Sequence, residues 1–287
     1  PYPLIHINKL TIKHQGNDHA RLSFSGMIAE EQAQKYIQRV SHSDEVVVKF
    51  GRQQDILFSG RIENAELQAA QGVHYVYVEA VSFTANMDVE KRSRSFQDAN
   101  MTYVALLDTI VGAYPHGDYI DQVSNGQAIG HISIQYMETD WTFMKRMASN
   151  LQAVVFPDLQ GKGPRFWFGT PESKKRITID HLPSVLHMDV DTYRLITEND
   201  GTDVSETDYT FCEFESTEAY DLGTSVQLKG KSYIITVREI HLEAGVLKFQ
   251  YTAQPEKSIR QRLVRNLDLI GAAFTGKIID VTQNTVK

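Results

Sequence analysis

Cysteine is nearly absent from this 287-residue chain: Cys212 stands alone, which excludes an intrachain disulfide and any zinc site built from several thiolates. Long hydrophobic runs are missing too, and none approaches the roughly 20 residues that a membrane-spanning helix needs. Basic residues are outnumbered, 29 against 36 acidic, for a formal net charge of −7, which argues against a general nucleic-acid binder with its basic face. Glycine and proline, at 18 and 8, are too few for a collagen-like or low-complexity chain. No basic-then-apolar leader opens the sequence, so no secretion signal is expected. What remains, 41% hydrophobic and 23% charged, is an ordinary globular mixture with a length that suits about two domains.

Catalytic motifs are equally scarce. Gly161-Lys162-Gly163-Pro164 has the wrong order for a phosphate loop, and Pro164 lacks an amide that such a loop uses. No Gly-x-Ser-x-Gly elbow occurs. The ten histidines are scattered, with no His-x-x-x-His pair. His181, His187, Asp189 and Asp191 could be drawn as a metal site. Strand alternation from Met188 to Ile196 instead puts both aspartates on one solvated face. Cys212, between Phe211 and Glu213 in a strand, reads as a small apolar residue because no cation nearby in sequence lowers its pKa. Glu138 and Asp140 could be drawn as an acid pair, but carboxylates at a helix start are more simply placed there by the helix dipole. Lys91 to Arg94 and the row Arg260, Arg262, Arg265 read as solvated faces. No catalytic centre, metal site or cofactor is expected.

Hydrophobic period separates the elements. Ile5 to Ile12, Leu22 to Gly26, Val46 to Val48, Ile56 to Ile62 and Val73 to Phe83 read as strands, and Glu30 to Val40 as a short helix. Thr102 can cap a helix from Tyr103 to Val111, stopped near Gly112. A strand at His131 to Tyr136 leads into a helix capped by Thr139 or Asp140, whose buried face is Trp141, Met144, Ala148 and Leu151. Phe166 to Phe168 is a further strand. Strands return at Met188 to Ile196, Asp208 to Glu215, Ser225 to Leu228, Tyr233 to Leu242 and Val246 to Ala253, with a hairpin turn at Glu243-Ala244-Gly245. Ile259, Leu263, Leu267 and Ile270 form the stripe of a final amphipathic helix, Lys257 to Ile270, followed by a strand from Lys277 to Val281.

An internal repeat is visible in the two β regions. Val46 and Val48 match Val226 and Leu228, and Gly51 matches Gly230. Ile56 and Phe58 fall near Tyr233 and Ile235. Gly72-Val73 parallels Gly245-Val246, and Val78-Glu79-Ala80 parallels Tyr251-Thr252-Ala253. The reading is one small barrel present twice, interrupted by a mixed segment; the rival is that any two β-meanders look alike.

Three segments carry more specific signals. They are Phe83 to Ile110, containing Lys91-Arg92-Ser93-Arg94-Ser95-Phe96-Gln97-Asp98, then Ile134-Gln135-Tyr136-Met137-Glu138-Thr139-Asp140-Trp141 through Arg146, and Leu222-Gly223 through Val237. Together, in consistent order over most of the chain, they resemble the late control gene D and VgrG proteins. That family has a basic Arg-then-Phe-Gln element before an equivalent helix, and a Gln-Tyr-x-Glu-Ser/Thr-Asp-aromatic motif. VgrG chains usually continue the second motif with Glu-Glu-Gly, where Ser149-Asn150-Leu151 stands here. The departure shifts the resemblance from type VI secretion proteins towards phage tails, prophages, tailocins and related contractile particles.

The resemblance implies a structural baseplate hub rather than an enzyme. Such a hub is a homotrimer in the tail particle, assembled in the bacterial cytoplasm, between the tail tube protein and a spike protein or C-terminal spike domain. Other baseplate proteins surround it, and neither membrane insertion nor specific nucleic-acid binding is implied. The expected fold is mainly β with an α+β insert: a first tube-like β-barrel at 1–92, an α/β middle segment at 93–183, a second tube-like barrel at 184–255, and a helix and linker towards a spike or oligosaccharide/oligonucleotide-binding domain at 256–287. Ile259, Leu263, Leu267 and Ile270 are the expected assembly interface. The rivals are a tail-associated cell-wall hydrolase, which needs converging carboxylates, and a carbohydrate-binding module, which needs exposed aromatics such as Tyr75, Tyr77 or Tyr119.

Overall fold

The computed structural model describes residues 4–31, 41, 44–200, 204–274, 281–282 and 285–286. The expected helix from Glu30 to Val40 falls outside them except for its first two residues, and so does most of the strand expected at Lys277 to Val281.

The first β region contains β1 (His6–Gln15), β2 (Arg21–Ile28), β3 (Glu45–Phe50), β4 (Asp55–Ala70) and β5 (Val73–Ser82). After it come β6 (Lys91–Phe96), α1 (Tyr103–Val111), β7 (Asp118–Asp121), β8 (Ser133–Thr139), α2 (Asp140–Ser149), β9 (Val155–Pro157), β10 (Arg165–Phe168) and β11 (Arg176–Thr178). The second β region contains β12 (Ser184–Met188), α3 (Val190–Asp200), β13 (Thr210–Ser216), β14 (Ser225–Leu228), β15 (Lys231–Glu243) and β16 (Val246–Gln254).

Strand order repeats between the two regions. The first runs β3-β4-β5-β2-β1 and the second β14-β15-β16-β13-β12, with every neighbour antiparallel. The pairing also agrees residue by residue. Val46 faces Gly60 where Val226 faces Tyr233, and Leu22 faces Ala80 where Cys212 faces Ala253. A β-bulge interrupts the long strand between Ile62 and Asn64 in one copy, and between Ile235 and Val237 in the other. Each long hairpin closes on a two-residue turn with both φ values positive, Gln71-Gly72 (51° and 79°) and Ala244-Gly245 (51° and 78°). These are the left-handed turns that match the twist of paired strands, and glycine at the second position adopts them without strain.

Two closed barrels are not what forms. All ten of these strands, with β11 against β14, lie in one open eleven-stranded sheet, because β1 of the first copy pairs antiparallel with β15 of the second. One hydrophobic core consequently spans both copies: Ile12, Leu22 and Phe58 pack in the same cluster as Ile235, Ile240, Phe249 and Tyr251. Each such side chain contributes about 1.5–3 kcal/mol by leaving water.

The middle segment has its own core, in which Leu106, Leu107 and Ile110 of α1 meet Trp141, Met144 and Met147 of α2 against Phe166 and Phe168 of β10. Thr102 caps α1, its hydroxyl accepting from the Ala105 amide at 3.1 Å, and Thr139 caps α2, accepting from the Thr142 amide at 3.2 Å. Two expected elements differ from what the sequence pattern indicates. Residues 190–196 are helical because Asp189 ends β12 and caps α3, accepting from the Thr192 amide at 2.9 Å and its hydroxyl at 2.6 Å. The expected helix at Lys257 to Ile270 is absent. Short 3-10 turns at Glu256–Ser258 and Leu267–Leu269 flank an irregular stretch whose polar groups bond to the middle segment instead of to their own chain four residues back.

Candidate functional site

The joint between the two copies combines a buried apolar pair, a surface ion pair and a buried His–Arg pair. Ile12 sits opposite Ile240 with both side chains fully buried, and Lys13 Nζ lies 3.3 Å from Glu239 Oε1 on the solvent face. On the buried face His14 lies opposite Arg238. The His14 Nε2–H donates to the Pro157 carbonyl at 2.8 Å, which leaves Nδ1 unprotonated in the neutral ring. Burial, with the Arg238 charge beside it, lowers the imidazole pKa to about 3. Arg238 donates to the Tyr220 and Leu57 carbonyls and to Asp221 Oδ1 at 3.3–3.4 Å, so one guanidinium ties β15 to β4 of the other copy. A cavity of about 370 Å³ opens beside the pair, lined also by Trp167, Asp158, Ser173 and Lys174.

The helix-start carboxylates are each neutralised by arginine. Glu138 takes both oxygens to Arg146 Nε at 3.2 Å, and Arg146 Nη2 also donates to the Ile134 carbonyl at 2.7 Å. Asp140, fully buried, receives Arg94 Nη2, Gln135 Nε2 at 2.9 Å and the Tyr114 hydroxyl at 2.7 Å, with Arg92 Nε at 3.6 Å. That hydrogen bond and the Asp140 charge add to burial in pushing the Tyr114 phenol well above its ordinary range. Strand pairing explains the convergence: β6 lies antiparallel to β8, with Arg92 opposite Glu138 and Arg94 opposite Gln135. Arg92 and Arg94 are therefore not a solvated face. Their alternation on one face of a strand was the available sequence signal, and it became meaningful only beside Asp140.

The expected interface residues separate. Ile259 is buried in the sheet core, whereas Leu263, Leu267 and Ile270 are exposed, the last two at 68% and 80%. Without the helix they do not form one stripe. The segment is held to the middle region instead: Gln261 Nε2 donates to the Lys145 and Ala153 carbonyls, the Val264 amide to Ser149 Oγ at 2.9 Å, and Asn266 Nδ2 to the Tyr136 carbonyl at 2.7 Å. Arg262 pairs with Asp200 at 3.0 Å.

Other sequence candidates have structural partners. Cys212 is buried under the sheet, and burial raises its thiol to about 11. Asp189 serves as the α3 cap. His181 and His187 are exposed, and among the described residues no three His, Cys, Asp or Glu side chains converge for a metal. Tyr119 stacks on Phe166 and donates to Asp108 at 2.7 Å, while Tyr77 is exposed.

No protein-family model matches the sequence, and no curated protein sequence matches it either. Solved structures do match in fold. The E. coli c3393 protein, a component of the type VI secretion system that is itself similar in structure to the phage T4 tail proteins gp27 and gp5, aligns with a TM-score of 0.66 at 15% identity, over 92% of this chain and 78% of that one. A tail protein from Neisseria meningitidis MC58 aligns at 0.63 and 11% identity over 88% and 92% of the two chains. The 43 kDa tail protein of prophage MuSo2 from Shewanella oneidensis aligns at 0.63 and 10% identity over 88% and 94%. The chain has the fold of these tail proteins.

Proposed function

We propose that the chain is a structural hub of a contractile-tail baseplate, related to the late control gene D and VgrG proteins, and that it works as a homotrimer. The observation that carries this reading is the duplication: one five-strand unit, present twice and joined edge to edge in one sheet. Three chains then present six similar units. A ring of six can dock on a sixfold tail tube, while the true threefold axis of the trimer suits a spike. Heterologous contacts that close produce such rings. The fold shared with solved tail proteins supports the same assignment.

Function is carried here by interfaces rather than by a reaction. The carboxylates that a cell-wall hydrolase would use are each held by an arginine, Glu138 by Arg146 and Asp140 by Arg94. Exposed Leu263, Leu267 and Ile270 in the C-terminal segment are proposed to meet a neighbouring subunit or the spike. Sedimentation equilibrium across a concentration series tests the reading. A mass three times the 32.5 kDa of one chain is expected, and a monomer at every concentration overturns it.

A further inference from the structure

Inside the chain, β14 covers only the first part of β15, and β1 fills the remaining edge from Val237 to Glu243. The first copy has the same vacancy. Strand β3 covers β4 as far as Arg61, and among the described residues no strand lies against the outer edge from Asn64 to Ala70. The counterpart of β1 is β12, which among the described residues is bonded on one side only, to β13. All five of its residues are exposed, Val185, Leu186 and Met188 among them. The contrast with β1 is direct: Leu186 is 48% exposed, whereas Ile12, its equivalent opposite Leu22, is 0%. An apolar edge strand left open in this way is a template for another chain.

We propose that β12 of one chain adds antiparallel to the outer half of β4 of a second copy, in the register that β1 and β15 use within the chain. This rests on the trimeric hub reading and specifies its interface. Carrying the internal pairing across residue by residue sets Ser184 opposite Ala69, Val185 opposite Gln68, Leu186 opposite Leu67, His187 opposite Glu66 and Met188 opposite Ala65. The chemistry of the internal joint is reproduced. Leu186 on Leu67 repeats Ile12 on Ile240, and His187 facing Glu66 repeats Lys13 facing Glu239. Met188, long and flexible, meets the small Ala65 where the internal joint sets His14 opposite Arg238.

Each chain offers one donor strand and one acceptor edge, so the contact is heterologous. The internal joint and the intermolecular joint share one geometry. Successive units therefore follow one another by a single repeated operation, and three chains close a ring of six.

Paired cysteines test the register. Leu67→Cys/Leu186→Cys and Gln68→Cys/Val185→Cys are oxidised in otherwise intact protein, Cys212 being buried and inert. Disulfide-linked dimers and trimers are expected from these pairs, and none from the single variants or from the out-of-register pair Ala70→Cys/Met188→Cys. His187→Glu should shift trimer formation to concentrations at least about tenfold higher, by setting like charges opposite each other. Adding Glu66→Lys should restore it. A native trimer that gives no in-register cross-link and ignores both charge variants overturns this interface while leaving the hub reading standing. A monomer at every concentration overturns both.

Discussion

Asp140→Ala should be among the most damaging single changes in the middle segment. The carboxylate is fully buried and accepts from Arg94, from Gln135 at 2.9 Å and from Tyr114 at 2.7 Å, with Arg92 at 3.6 Å. Removing one partner of a buried charged network costs about 3–5 kcal/mol, because the remaining donors stay desolvated and unpaired. Arg92 and Arg94 are still 30% and 26% exposed and can recover some hydration, so the lower end of that range, about 3 kcal/mol, is the expected loss. Asp140→Asn keeps one acceptor oxygen, for Gln135 or for Tyr114, which donate to different carboxylate oxygens, and it loses the charge; it should cost less than alanine. Urea titration followed by tryptophan fluorescence reads the difference, since Trp141 adjoins the substituted residue in the buried core. A loss under about 1 kcal/mol for alanine would refute the structural role argued for this carboxylate.

Acid should weaken the joint between the copies through His14. The folded ring stays neutral down to about pH 3, while the unfolded one takes its proton near 6.5. Between those values the unfolded chain binds more protons, so stability falls as pH drops, by about 2 kcal/mol from this group at pH 5. Denaturant titrations at pH 7.5 and 5 should show that slope in the native chain and a smaller one in His14→Asn. Ile12→Ala, which empties a fully buried position shared by both copies, should cost about 2–5 kcal/mol in the same assay. Gly223→Ala should be severe, because φ is +83° and the added Cβ would meet the Pro171 carbonyl oxygen at 2.1 Å. Gly72→Ala, at a similar φ with open space around it, should cost only about 1 kcal/mol by thermal unfolding.

The duplication was legible because its anchor points are local. Val46 and Val48 do stand where Val226 and Leu228 stand, and Gly72-Val73 where Gly245-Val246 do. The match slipped in between: Gly60 and Ile62, not Ile56 and Phe58, occupy the places of Tyr233 and Ile235. A longer β3–β4 hairpin, with nine residues between the paired Val48 and Phe58 against two between Leu228 and Lys231, produces that offset. The joint of β1 with β15 was out of reach, since it joins residues more than two hundred positions apart and no local pattern encodes such a contact.

Two misreadings have one cause, namely that hydrophobic spacing does not say where backbone hydrogen bonds go. At Asp189 the capping side chain turned an alternating run into α3. After Pro255, a helical spacing of apolar residues was overruled by bonds from Gln261, Val264 and Asn266 to the middle segment. The caps at Thr102 and Thr139 were readable because each is a one-turn interaction between near neighbours.

Electron cryo-microscopy of the isolated assembly, viewed down its axis, tests most directly the claim that duplication turns three chains into a six-unit ring. The account predicts six similar β units around the axis under true threefold symmetry, with β12 of each chain continuing the sheet of its neighbour at β4. Closed barrels with separate sheets, or a ring in which β12 faces solvent, would contradict it.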